Sequence, residues 1–68
     1  SLLDLPFSIH EVVTLGRIPH NTSARHNREI VDQALGFVDY QHLKDRSYIN
    51  LSSGEKQLVQ LARFAALI

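Results

Sequence analysis

Three stretches of this chain place apolar residues at helical intervals rather than in strict alternation. In the first, Ile9, Val12, Val13 and Leu15 follow Ser8, and Ser8-x-x-Glu11 has the spacing of a capping box. A helix is expected from Ile9, although the β-branched pair Val12-Val13 lowers its intrinsic propensity. Gly16 is its expected stop, with Arg17 beside the negative end. Phe7, just ahead of the cap, is placed to staple onto Val12. In the second stretch Ile30, Val31, Ala34, Leu35, Phe37 and Val38 supply a broad stripe. Asn27 is the expected cap of a helix from Arg28, with Glu29 in its first turn. Gly36 costs roughly 1 kcal/mol against alanine in that helix and is expected to be offset by packing of Leu35 and Phe37 on either side. In the third, Leu58, Leu61, Ala62, Ala65 and Ile68 form one stripe, widened by Val59, Phe64 and Leu67.

The connecting segments read as turns. Residues 1–7 are an apolar lead-in stiffened by Pro6, and Arg17 to Asn27 carries Pro19, Asn21, Thr22 and Ser23. Tyr40 to Arg46 suggests a short helical turn anchored by Leu43, and Ser47 to Asn50 is a connector. The expected fold is all-α, a small bundle of three to four helices. The apolar tail Phe64 to Ile68 lacks a C-cap, and the chain is expected to be cut from a longer protein.

The third helix opens from Leu51-Ser52-Ser53-Gly54-Glu55, a second S-x-x-E spacing. The helix is expected from about Ser53. First-turn N–H groups left unpaired by side chains point outward and carry partial positive charge, so a mouth of Ser, Ser and Gly suits an anion such as phosphate. Gly54 has no Cβ to obstruct close approach. On spacing alone, a plain helix cap is the commoner outcome.

Composition narrows the choice without deciding it. The chain has 68 residues, no cysteine, and seven basic against seven acidic side chains for a formal charge of zero. A chain this short buries only ~60% of its unfolded surface and is marginal alone. Thiolate metal sites and disulfides are excluded, and a balanced charge argues against a nucleic-acid binder such as a helix-turn-helix module. Of the four histidines, His10, His20, His26 and His42, only His20 and His26 stand at an H-x5-H interval, and with no cysteine pair beside them they are not read as a zinc site. No metal site or catalytic constellation is legible. The phosphate-binding loop G-x-x-x-x-G-K-S/T is missing, as is a hydrophobic strand ending in acidic residues, so the chain alone is not expected to hydrolyse ATP.

The run LSSGEKQLVQLAR resembles the signature motif of ATP-binding-cassette (ABC) ATPases, L-S-G-G-Q/E-x-Q-R with A-R further along the helix. Leu51, Ser52, Gly54, Glu55, Gln57, Ala62 and Arg63 match, while Ser53 stands for the first glycine and Leu58 for the arginine. The segments Leu5 to Val13, Leu15 to His20, Arg28 to Val31, and His42-Leu43-x-x-Arg46-x-Tyr48 are similar to ATPases of metal-chelate importers. Within that group they look most like hemin-import ATP-binding proteins. The resemblance implies that residues 1–68 are the helical subdomain, lying between a glutamine-bearing loop just before Ser1 and an acidic strand after Ile68.

By the same resemblance, Ser52, Ser53, Gly54 and Glu55 would face ATP bound with magnesium by the second ATPase subunit of a homodimer. Pro6, Phe7, Ile9 and Val12 would face the transmembrane permease subunit and transmit closure to it. The parent protein would sit on the cytoplasmic face of the inner membrane, and the fragment by itself would be soluble and inactive. The alternative from another class is a free-standing helical interaction module in which the signature run is only a cap.

Overall fold

The computed structural model describes residues 5–68. These form three α-helices, α1 (Ile9–Thr14), α2 (Ala24–Phe37) and α3 (Ser53–Leu67), joined through single 3-10 turns at Leu15–Arg17, Gln41–Leu43 and Tyr48–Asn50. No strand occurs among the described residues; an isolated antiparallel bridge joins Ser8 to Ser47. The expected all-α bundle is the observed one. The part of the lead-in over residues 1–4 lies outside the described residues.

Each helix packs on the other two. The shared core is Ile9, Val12 and Val13 of α1, Val31, Ala34 and Leu35 of α2, and Val59, Ala62 and Ala66 of α3, closed by Tyr48 and Leu51. Phe7 packs against this core from the lead-in. Burial of such side chains contributes roughly 1.5–3 kcal/mol each, which offsets the weak propensity of the Val12-Val13 pair.

Four expectations need correction. First, α2 begins at Ala24, capped by Ser23, whose hydroxyl accepts from the His26 N–H at 3.1 Å. Asn27 lies inside the helix, where its Oδ1 accepts from Arg17 Nε at 3.0 Å and also from the Thr22 hydroxyl. Position three after Ser23 is His26, so no capping box advertised this start. Second, α1 ends at Thr14 with cap Leu15, just ahead of Gly16 as expected, but not through a left-handed glycine, since no glycine has a positive φ. The chain instead tightens into a 3-10 turn. Gly16 serves close packing: a Cβ there would lie 2.3 Å from the Arg63 carbonyl oxygen and 3.3 Å from Ala66 Cβ. Third, Phe37 is 73% exposed and does not pack beside Gly36.

The fourth correction concerns which face of α3 turns inward. Val59, Ala62 and Ala66 are buried, while Leu58, Leu61, Phe64, Leu67 and Ile68 are exposed. The approach of Gly16 to the α3 backbone leaves room only for small residues at that contact, so alanine replaces leucine on the inner face. Arg17 accounts for the rest of the junction. It is 6% exposed, and its Nη1 donates to the Ala66 carbonyl at 2.8 Å while Nη2 donates to Thr22 Oγ1 at 3.3 Å. The guanidinium thus meets the carbonyl end of α3 rather than that of α1, and the helix dipole compensates its charge.

The end of α2 is a Schellman turn. The Tyr40 N–H donates to the Leu35 carbonyl at 2.9 Å and the Asp39 N–H to the Gly36 carbonyl at 3.2 Å. Asp39 occupies the left-handed position with φ 62°.

Candidate functional site

The start of α3 rests on one buried residue and one reciprocal cap. Leu51 is in the core, and its N–H donates to the Tyr48 carbonyl at 3.1 Å. Ser52 follows in extended geometry, with its hydroxyl accepting from the Glu55 N–H at 3.2 Å and its own N–H donating to Glu55 Oε1 at 2.9 Å. The bond from the Ser52 N–H, then the Ser52 hydroxyl contact, holds the Glu55 carboxyl below the usual glutamate range. Glu55 is therefore ionised at neutral pH and turned back onto the cap. Ser52, Ser53 and Gly54 are exposed, and a Cβ on Gly54 would meet nothing within 4 Å.

The same cap at the start of α1 is finished differently. Ser8 and Glu11 form an equivalent capping box. The next two N–H groups are then used within the chain, Ile9 donating to the Arg46 carbonyl and His10 to the Lys44 carbonyl, each at 2.9 Å. The corresponding N–H groups of α3 belong to Ser53 and Gly54, and neither has a partner among the described residues. Two copies of one sequence pattern thus give one closed helix start and one with two outward donors. The start of α2 also leaves its first N–H groups without a partner among the described residues, but lacks the glutamate of a capping box and any glycine.

The mouth of α3 sits on open surface. Hollows of about 480 Å³, beside Arg17, His20 and Phe37, and about 410 Å³, beside Ile18, Phe64 and Leu67, include no residue of 51–55. The exposed donors can complete an anion site but do not enclose one. Pro6 is exposed and Phe7 half-buried, so both offer surface. Ile9 and Val12 are fully buried and present no surface of their own; any influence on a partner passes through the residues they support. No group of three metal-ligating side chains gathers among the described residues, and no described helix is long and apolar enough to cross a membrane.

Two contributors were not legible in the sequence. Tyr48 lay in a segment read as a mere connector, yet it is buried and its hydroxyl accepts from Gln60 Nε2 at 2.9 Å. Arg17 lay at an expected helix end, with nothing in the local spacing to signal burial.

Comparison with known proteins places this geometry in context. No protein-family model matches the chain. A Hemin import ATP-binding protein from Pseudomonas fluorescens is 52% identical over 66 residues, covering 97% of this chain. The chain is homologous to a segment of ABC ATPases. A protein of the same description from Gloeobacter violaceus is 43% identical over 70 residues and covers all of the chain, and one from Escherichia coli O157:H7 is 44% identical over 63 residues, covering 93%. The segment spans about a quarter of the length of these relatives, 24–26%.

Proposed function

We propose that residues 1–68 are the helical, signature-bearing subdomain of an importer ATPase for hemin or a related iron chelate. Ser52 and the outward N–H groups of Ser53 and Gly54 receive the terminal phosphate of ATP held mainly by a second ATPase subunit. The observation that supports this reading is the pair of donors without a partner among the described residues, beside an occupied cap, on the run that resembles the ABC signature. The Ser52 oxygen accepts from the Glu55 N–H, and its O–H proton can turn from the Glu55 carboxylate to a phosphate oxygen. Two backbone N–H groups and one hydroxyl make a preorganised anion contact at the positive end of a helix. Glu55 is anionic and close by, so this contact alone is weak and requires the cations of the partner site. Magnesium would arrive with the nucleotide, held by residues outside this chain.

In the assembled transporter Pro6 and Phe7 face the permease at the cytoplasmic side of the inner membrane, and the chain contributes to hydrolysis without catalysing it. The test is substitution in the full-length protein. Ser52→Arg fills the mouth with a long side chain and abolishes ATP hydrolysis and transport. Ser53→Gly removes a Cβ from the phosphate face and preserves or raises both. Full activity in Ser52→Arg would contradict the reading.

A further inference from the structure

Segment 44–48 is hydrogen-bonded to residues 7–10 along its length: Ile9 N–H to the Arg46 carbonyl and His10 N–H to the Lys44 carbonyl at 2.9 Å, and Tyr48 N–H to the Phe7 carbonyl at 2.8 Å. The Ser8–Ser47 bridge belongs to the same ladder. At its end Tyr48 turns inward and engages α3. Its hydroxyl accepts from Gln60 Nε2 at 2.9 Å, and Lys56 Nζ stands 5.7 Å from its ring centre, within range of a cation–π contact. Its carbonyl receives the Leu51 N–H, one residue before the Ser52 cap. Tyr48 is therefore hydrogen-bonded to Phe7 on one side and, on the other, to Gln60 two turns into α3.

From this we infer that Tyr48 is a positioning residue which fixes the phosphate-facing start of α3 relative to the Phe7 segment, so that displacement at Phe7 reaches Ser52–Gly54. The inference rests on the roles proposed above for those two ends. Tyr48 is itself buried and presents almost no surface to a nucleotide or a permease. Its ring fills core space and its hydroxyl supplies one directional bond. Tyr48→Phe keeps the first and deletes the second, and Gln60→Leu deletes the same bond from the other side.

The experiment measures, in the full-length ATPase, basal ATP hydrolysis by the ATPase alone and stimulated hydrolysis with its permease in vesicles. Tyr48→Phe leaves basal activity within about twofold of the unsubstituted protein and lowers stimulation about three- to tenfold, the size of effect expected for one lost hydrogen bond. Gln60→Leu does the same, and the double variant is no worse than either single one because both delete one bond. Unchanged stimulation overturns the inference, as does a proportional fall of basal and stimulated rates, which would mark a merely structural role. Ser52→Arg in parallel separates the two levels. Loss of activity there with normal stimulation in Tyr48→Phe refutes the Tyr48 link alone, whereas activity retained in Ser52→Arg refutes the phosphate contact while a loss of stimulation in Tyr48→Phe still upholds the link.

Discussion

Asp39 holds the left-handed position that ends α2, at φ 62°, where a Cβ is disfavoured and glycine is the usual occupant. Its carboxylate also lies at the negative end of the helix dipole. Asp39→Gly removes both penalties, and Asp39 is exposed, so no packing is lost. The expected gain is about 0.5–1 kcal/mol of folding stability. A thermal midpoint that rises by a few degrees checks it, and an unchanged or lower midpoint contradicts it. Gly16 is the opposite kind of glycine, required by the Arg63 carbonyl against its Cα and not by its own dihedral angles. Sequence alone does not separate these cases, because tight approach between distant segments leaves no local mark.

At the scale of elements, capping decides what was legible. Ser8-x-x-Glu11 and Ser52-x-x-Glu55 announce α1 and α3 because both partners of each reciprocal cap are written locally. The start of α2 was misplaced because Ser23 lacks the glutamate, and Asn27 looked like a cap while its side chain was committed to Arg17. The inner face of α3 was misjudged for a related reason. Hydrophobicity favoured its leucines, but the close approach of Gly16 to the Arg63 carbonyl and Ala66 puts a small residue at that contact. The candidate mouth at 52–55 was legible as a helix start; that Ser53 and Gly54 have no partner among the described residues while Ile9 and His10 are bonded to segment 44–46 is reported by no spacing around Ser52.

Both cap glutamates have folded-state pKa values below their ordinary ones, first through the N–H bonds of Ser8 and Ser52 and then through the serine hydroxyls. The unfolded chain therefore takes up these protons at a higher pH than the folded one. The stabilisation is fully present above the unfolded glutamate pKa of about 4.3 and is lost as pH falls through the lower folded values. Glu11→Gln and Glu55→Gln keep a hydrogen-bonding side chain at each cap but remove the titration. Denaturation midpoints measured across that acid range should fall less steeply with pH in each variant, and slopes identical to the unsubstituted protein would show that the caps carry no linkage.

At the scale of the molecule, three helices share one small core, and an exposed row of Leu58, Leu61, Phe64 and Leu67 runs along α3. The shared core and the 44–48 ladder bind the beginnings of α1 and α3 into one body, which is what a part that relays force between two partners requires. The central claim is that the start of α3 holds two donors in reserve for a phosphate that the rest of the assembly presents. Amide hydrogen exchange at single residues in the full-length protein, with and without a non-hydrolysable ATP analogue, tests it most directly. Ser53 and Gly54 should exchange fast without nucleotide and become protected with it, while Ile9 and His10, already bonded to segment 44–46, remain protected in both. Exchange at Ser53 and Gly54 that is indifferent to nucleotide would contradict the account.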